Sequence, residues 1–561
     1  MTRRVLVVGG TGGFGRRLVE GLLTTTELDV NIAARHLDRG RALANALDPS
    51  RASAIALDAR TVTAEALKAS GAFAVVDAAG PFQGADYRLA RAAIAAGMHY
   101  LDLADGRDFV AGFPALDAEA RAAGVVALTG ASSTPALSNA VLDELTAGWQ
   151  RIDSVEIAIS PGNRAAPRGL AVIRSILSYA GKPVRVFAEG RWVTRRGWGM
   201  LTRRDIGGLG RRWLSLCETP DLDLVPLRFA PRRSALFRAG LELSILHLGL
   251  ALASLPVRIG LLKSLLPFAR PFRWVAERLA RFGTDRGGMQ VEAAGMDANG
   301  LRICTKWSLV AAAGDGPVVP TLPALAVLRA IAGGNVPAPG ARACAGVVDL
   351  AAIAREFARY HIDTELVRSP IMSPFETILG ADFACLPEPV RRLHAVTQAV
   401  ETAGRAEITA APGLVPWLIC RLAGLPRAGH EVPVSVAFHV DRDGGEYWRR
   451  RFAGRRYASG FAAGGGRGRG HEGLLLERFF PFQLYHRLTP RPDGLAWLLV
   501  EWRLLGIPLP GWTLPTVNCF ESAEGERFRF DIDVCFPIVG RVIHYRGWLV
   551  PVEPARERSG R

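Results

Sequence analysis

Short apolar blocks alternating with helix-spaced apolar residues organise the first 130 residues. Val5-Leu6-Val7-Val8 has the unbroken apolar character of a strand buried on both faces, and Leu18, Val19, Leu22 and Leu23 then recur at helical spacing. Blocks of the same kind return at 30–34, 54–57, 74–79, 99–103 and 125–129. Helical periodicity lies between them, most clearly over 37–47 and 87–96. This alternation predicts a parallel sheet covered on both faces, a doubly wound α/β Rossmann domain over 1–135.

Beyond residue 138 the pattern changes. Strand-like 155–159 and 184–187 flank a helical stretch at 169–180, and 191–213 reads as a polar hairpin in which arginine and tryptophan interleave. Residues 289–296 and 301–311 read as paired strands around the turn Asp297-Ala298-Asn299-Gly300. A helix over 322–331 returns to the first domain, Pro337-Ala338-Pro339-Gly340 marks a turn, and 350–360 is a last helix before a boundary near 362–372. The expectation is a mixed α/β substrate domain over 136–362. Helical patterning resumes from 375 to about 403. Period-2 segments follow at 432–440, 447–452, 473–479, 496–504, 517–522, 528–534 and 542–550. They predict an α+β domain over 372–553, its antiparallel strands curled into a sandwich or a barrel around a helix. Gly464 to Gly470, with Arg467 and Arg469, reads as one flexible loop rather than an RNA-binding Gly-Arg array.

The first turn brings in chemistry. Gly10-x-Gly12-x-x-Gly15 lies between a strand and a helix, where the first glycine permits the turn, the second admits a pyrophosphate and the third lets helix and strand pack closely. The positive end of the helix then faces the phosphates. Gly9, Gly10, Thr11, Gly12, Gly13, Phe14 and Gly15 are therefore candidate cofactor-binding residues. An NAD site usually carries an acid at the end of the second strand, on the ribose. Arg35 stands there, followed by Arg39 and Arg41. A guanidinium grips a 2′-phosphate bidentately, so NADP is the expected cofactor. Asp58, at the end of the third strand, either meets the adenine side or caps the next helix. Ala79, Gly80 and Pro81 end the fourth strand beside the expected ribose and nicotinamide.

Candidates for proton transfer sit on the neighbouring strand ends. Tyr100, Asp102 and Asp105 belong to the fifth, and Ser132, Ser133 and Thr134 follow the sixth, where helix capping competes as their role. Tyr100, Asp102 and Ser133 are taken as the catalytic set. His99 reads as the start of a strand.

The most apolar region, 241–266, is interrupted by Glu242, Pro256 and Arg258, well short of the ~20 residues of a membrane span. Lys263, Arg270, Arg273, Arg278 and Arg281 then recur among apolar residues, which makes 239–282 a basic amphipathic segment. Two readings stay open for it: peripheral contact with a membrane interface, or a lid or homodimer face over the substrate pocket. His247, alone within it, reads as a packed side chain rather than a ligand.

Composition adjusts this picture at a few points. The formal charge of +16 would suggest nucleic acid, but Lys68, Lys182, Lys263 and Lys306 are the only lysines, so the charge is a chain-wide arginine habit and no nucleic-acid partner is expected. The seven cysteines are scattered without a CxxC, which points to a reducing, cytoplasmic setting without disulfides or zinc. No cluster has metal spacing, and none is expected to bind one. Ala64, Ser178, Ile259 and Arg302 stand four residues before the lysines, so the Tyr-x-x-x-Lys chemistry of short-chain dehydrogenases is excluded.

The fingerprint VVGGTGGFGRRL, the turn AAGPF, the strand HYLDLADG and the later FGTDRGGM and GDGPVVPTLPA together resemble the saccharopine dehydrogenase-like NADP-binding superfamily over residues 2–360. That resemblance implies an N-terminal Rossmann domain with a mixed substrate domain inserted before its last helices. It also implies activities such as those of saccharopine reductases and trans-acting enoyl reductases of lipid synthesis. The strict saccharopine-reductase signatures after the fifth and sixth strands are not evident, which points away from an amino-acid substrate. Trp448-Arg449-Arg450-Arg451-Phe452, Gly506-Ile507-Pro508-Leu509-Pro510 and Tyr545-Arg546-Gly547 resemble an uncharacterised domain often appended to this superfamily. The expected function is reduction of a C=C, C=O or C=N bond in a small or lipid-like substrate. The alternative is a membrane-peripheral nucleotide-binding or sensing protein without catalysis.

Overall fold

A computed structural model describes residues 3–164, 169–395, 400–422, 425–440, 445–464 and 471–552. The expected glycine-arginine loop, at 465–470, lies outside them. The chain separates into two compact units, Met1–Ser369 and Pro370–Arg561.

In the first unit seven strands form one parallel sheet. Their order is Gly340–Ala343, Val126–Thr129, His99–Asp102, Ala74–Asp77, Arg4–Val8, Asp29–Ala34 and Ala52–Ala56. Arg4–Val8 lies at the centre with Val5, Leu6 and Val7 fully buried, as an apolar block without alternation requires. The chain goes to one side of it for the second and third strands and to the other for the fourth. The carboxyl ends of Arg4–Val8 and Ala74–Asp77 therefore bound the crevice in which open α/β sheets bind ligands. Helix Leu322–Ala332 packs against helix Gly13–Thr25 and leads to the seventh strand. The loop through Pro337-Ala338-Pro339 opens directly into this strand, which the sequence reading missed: Gly340–Ala343 pairs in parallel with Val126–Thr129, and the Ala341 N–H donates to Asp117 at 2.9 Å. Four residues without a β-branched side chain carry no strand signal of their own.

A second, nine-stranded mixed sheet follows, seven strands in the order Thr202–Asp205, Arg211–Leu216, Ser234–Ala239, Arg151–Ser160, Gly287–Met296, Arg302–Ala311 and Ile362–Pro370, with Pro183–Ala188 and Arg191–Arg196 branching from Ser234–Ala239. Ser234–Ala239 runs parallel to Arg151–Ser160, whereas Gly287–Met296 is antiparallel to both its neighbours. The single polar hairpin expected at 191–213 is two. Arg191–Arg196 pairs back onto Pro183–Ala188, and Thr202–Asp205 pairs with Arg211–Leu216. The segment read as a boundary, 362–372, begins with the edge strand Ile362–Pro370.

The apolar region folds as helices Ser244–Ala253, Leu255–Arg258 and Ala269–Arg278. One face buries Leu250, Ala251, Val257 and Ala269; the other leaves Ile245 70%, Leu252 68%, Ile259 77% and Leu261 75% exposed. Among the described residues no helix is long and apolar enough to cross a membrane.

The second unit is a barrel. Its eleven-stranded sheet closes through every strand except the two-residue Ile507–Pro508. Each strand of the ring neighbours the next in sequence, and the first, Val400–Ala410, pairs with the last, Gly540–Pro551. The helical reading of 375–403 is corrected. Helices Pro374–Leu379 and Glu388–His394 end early, and Val400 begins the strand that closes the ring. A helix at Leu414–Leu422 lies between 403 and 432, where the sequence pattern assigned no element. Phe375 and His394 are fully buried, with rings 3.8 Å apart, and Phe375 also meets Trp497 at 5.4 Å. The barrel thus holds the helical pair by aromatic stacking.

Candidate functional site

The glycine turn is shaped by contacts that exclude side chains. A Cβ on Gly9, whose φ is +74°, would sit 2.8 Å from the Ala79 Cα, and one on Gly15 would overlap the Gly9 carbonyl oxygen. One on Gly10 would lie 2.9 Å from the Ile32 side chain. The first helix can therefore approach the first strand closely enough for the Gly12 N–H to reach the Gly9 carbonyl at 2.8 Å. Helix Gly13–Thr25 has no side-chain cap and no acid in its first turn. Its leading N–H groups are left to an external acceptor, as a phosphate site requires. Thr11, Gly12 and Gly13 are exposed, and Phe14 is half-buried.

Arg35 follows the strand Asp29–Ala34, whose Ala33 pairs with Val8. It is exposed and makes no hydrogen bond or ion pair with a described residue, so its fork is free for an incoming anion. Asp58 is committed elsewhere. Its carboxylate holds Arg60 at 2.7 Å and accepts from the Arg60 backbone, which keeps it well below the usual carboxylate range, with Arg35 adding a smaller effect. The next helix, Ala64–Lys68, is capped by Thr63 and not by Asp58. Ala79 and Pro81 are exposed at the mouth and Gly80 is half-buried.

Tyr100 and Asp102 are both interior. Tyr100 stacks on Phe113 at 5.8 Å, and burial together with the nearby Asp102 and Asp77 charges raises its phenol well above the ordinary value. One Asp102 oxygen accepts from Gly130 N at 2.7 Å, Thr129 Oγ1 at 2.9 Å and Ala104 N at 3.0 Å, while Oδ2 has no partner among the described residues. Burial raises this carboxyl to about 7, and raises its cross-strand neighbour Asp77 to about 6. Asp102 thereby ties two strand ends together. Ser133 is half-buried in the next turn. The capping role fails there: the Ser132 side chain caps nothing, and Thr134 donates instead to buried Asp221 at 2.7 Å. His99 accepts from Val126 N at 3.1 Å, the strand-starting role expected of it.

The structure adds groups that the sequence left unconnected. Gln83, just past the Gly80-Pro81-Phe82 turn, donates to Asp105 at 3.1 Å and to Ser175 at 2.7 Å. Ser175 lies on helix Leu170–Tyr179, so this trio joins the ends of the parallel sheet to the segment that follows the strand Arg151–Ser160 of the second sheet. On the same helix the Tyr179 hydroxyl meets Cys217 Sγ at 3.0 Å; burial pushes that thiol up to about 12. The Asp105 charge adds a minor part to the raised values of both. Arg107 anchors this wall, donating twice to Asp223 at 2.6 Å and once to the Arg185 carbonyl at 2.8 Å. Asp105 was legible as a strand-end acid. Its partners Gln83 and Ser175, 22 and 70 positions away in sequence, had no local signal. Among the described residues no group of His, Cys, Asp or Glu is arranged to hold a metal ion.

Residues 5–128 match the family model described as Saccharopine dehydrogenase NADP binding domain, and residues 386–549 match Domain of unknown function (DUF4166). No curated protein matches the chain in sequence. Among solved structures, apo histidine-tagged saccharopine dehydrogenase (L-Glu forming) from Saccharomyces cerevisiae is similar at 14% identity. That match covers 65% of this chain and 100% of that one, with a TM-score of 0.46. A myo-inositol dehydrogenase from Corynebacterium glutamicum is similar at 14% identity over 43% of this chain and 68% of its own, with a TM-score of 0.24.

Proposed function

We propose that this chain, with a saccharopine dehydrogenase NADP-binding domain at its N-terminus and DUF4166 at its C-terminus, is an NADP-dependent oxidoreductase. It reduces a C=C, C=O or C=N bond of a small or lipid-like substrate. The observation that carries the reading is the free Arg35 guanidinium beside a glycine turn whose helix leaves its first N–H groups unpaired. Bound NADPH supplies the hydride. Thr11 and Gly13 present backbone N–H groups to the pyrophosphate, Gly12 admits it by lacking a side chain, Arg35 takes the 2′-phosphate, and Ala79, Gly80 and Pro81 leave space for ribose and nicotinamide. Asp105 holds the proton. Gln83 orients this carboxyl from 3.1 Å, and Ser175 lies 3.4 Å from its other oxygen. Tyr100 and Asp102 fix the strand end from which Asp105 follows, and Ser133 borders the same crevice.

Calorimetry with NADPH and NADH tests this. Wild type should bind NADPH at least about tenfold tighter than NADH, the scale of a charge-assisted bidentate contact. Arg35→Asp should remove or reverse that preference. Equal affinity for the two nucleotides in the wild type would overturn the cofactor assignment.

The exposed apolar face of 239–282 favours a second property of the same enzyme, peripheral attachment to an anionic membrane. Arg278 lies over the Trp274 ring at 5.2 Å and Arg281 over Phe282 at 4.8 Å, so cations stand next to exposed aromatic rings.

A further inference from the structure

The barrel of the second unit is not filled. A cavity of about 340 Å³ lies inside it, walled by Trp448, Trp497, Phe528, Phe530 and Leu549. Tyr457 and Tyr545 also line it, as does Glu521, which is already bonded to His394 at 2.7 Å and Trp497 at 3.1 Å; four further polar side chains interrupt the wall, Arg450, Ser459, Glu477 and His486. They come one each from the strands Glu446–Phe452, Arg455–Ala463, Leu474–Phe479 and Phe482–Arg491, which are consecutive around the ring. These four groups therefore form one continuous polar stripe along the chamber wall.

The stripe is built but incompletely paired. Arg450 is gripped by rings, its guanidinium 4.9 Å from Trp448, 5.2 Å from Tyr457 and 5.6 Å from Phe461. Among the described residues its one hydrogen bond goes to the Ser459 hydroxyl. Glu477 stands 3.8 Å from Arg450 and 3.3 Å from His486 Nε2, too far or too poorly aligned for direct bonds. His486 is 2% exposed, and neither ring nitrogen has a hydrogen-bond partner among the described residues. Burial opposes ionisation of Glu477, but His486 and Arg450 outweigh it and hold the carboxyl below its ordinary value. The cavity thus contains a cation and an anion 3.8 Å apart, beyond direct hydrogen-bond reach, beside an imidazole that touches Glu477 at 3.3 Å on one nitrogen and whose Nδ1 has no partner among the described residues. Buried polar groups in such a state call for a third participant.

We propose that the barrel binds a neutral apolar molecule carrying a single hydroxyl, its hydrocarbon against the aromatic wall and its oxygen at Arg450 and Glu477. A hydroxyl both accepts and donates, so one group can take a guanidinium N–H and give its proton to the carboxylate. A carboxylate head would satisfy Arg450 but face Glu477 as a like charge in a poorly solvated chamber. A bare hydrocarbon would leave the stripe unpaired. At the ~30 Å³ that a water occupies in the liquid, the space suits on the order of ten non-hydrogen atoms, the scale of a medium-chain alcohol. This assignment is independent of the nucleotide site.

The test uses the full chain with three probes of equal length, 1-decanol, decanoate and decane, read by calorimetry and by the shift in melting temperature. Wild type should bind decanol at least about tenfold tighter than either other probe. Leu499→Trp, which fills the cavity from the strand position opposite His486, should abolish decanol binding while the far-ultraviolet spectrum stays unchanged. Glu477→Gln removes the opposing charge and should reverse the order, so that decanoate binds tighter than decanol. Absence of binding by all three probes, meaning a chamber that holds water alone, would overturn the proposal. Tighter binding of decanoate than decanol by wild type would do the same, as would undiminished binding in a folded Leu499→Trp protein.

Discussion

The imidazole of His247 is neutral because of what surrounds it. Its Nδ1 accepts from the Leu241 backbone N–H at 3.2 Å, which leaves the ring proton on Nε2 for Ser215 at 2.8 Å. The ring is fully buried beside Trp198, and burial lowers its pKa from 6.5 to about 4. The folded state thus disfavours the proton that the unfolded state accepts. The stabilisation is complete above pH 6.5, is lost as pH falls towards 4, and is on the order of 3 kcal/mol. His247→Gln should therefore show a flatter fall in melting temperature than wild type between pH 6.5 and 4, and an unchanged slope would refute the linkage. Asp102 and Asp221 act in the opposite sense. Burial raises their folded values to about 7 and about 6, so each makes the fold relatively more stable as pH falls through that range. Comparing variant with wild type cancels them. A packed His247 was legible because no ligand-type residue stands at coordinating distance in sequence. The inward aim of Arg450 was legible in principle, since alternation from Trp448 to Phe452 puts the middle arginine on their face. Three adjacent arginines nevertheless read as surface until the barrel closes around one of them.

At the scale of elements, what could be read followed the strength of the local pattern. The blocks at 5–8, 30–34 and 74–79 became central strands because unbroken apolar runs fit only positions covered on both sides. Gly340–Ala343 was missed because an edge strand of small residues is defined by its neighbour and not by its own side chains. The strand Val400–Ala410 was missed because Val400-Glu401-Thr402-Ala403 continues a helical register that the ring of strands overrides. The amphipathic segment was legible, and the structure makes it testable. Ile259 and Leu261 are exposed, so replacing both with aspartate should leave the fold intact. The double variant should lose flotation with phosphatidylserine vesicles that wild type shows at low salt, and wild type itself should be released as salt rises past the ~10 Å screening regime. Equal flotation of the two proteins would exclude this face as the contact.

For the molecule as a whole, each unit has its own buried clusters, one set centred on residues such as Val5, Val126 and Val291, the other on Phe375, Trp448 and Trp497. Calorimetric unfolding should accordingly resolve two transitions. NADPH at about one hundred times its Kd should stabilise only the first unit, by ~2.7 kcal/mol, and decanol only the second. A single transition shifted equally by both ligands would contradict this division. The division itself was legible as a switch from βα alternation to period-2 strands. The site was less so: the nucleotide half lies in one local motif, whereas Asp105, Gln83 and Ser175 meet only after folding.

The barrel's ring is a meander sealed between its first and last strands, Thr402 opposite Pro551 and Glu407 opposite Arg546. A ribosome making this chain must therefore release the final strand before the chamber can exist. Until that moment two unpaired β-edges are open to nascent neighbours. A stalled or prematurely terminated message would yield a sticky half-cylinder rather than a weaker binder, and quality control would meet this fault first in the carboxyl-terminal unit.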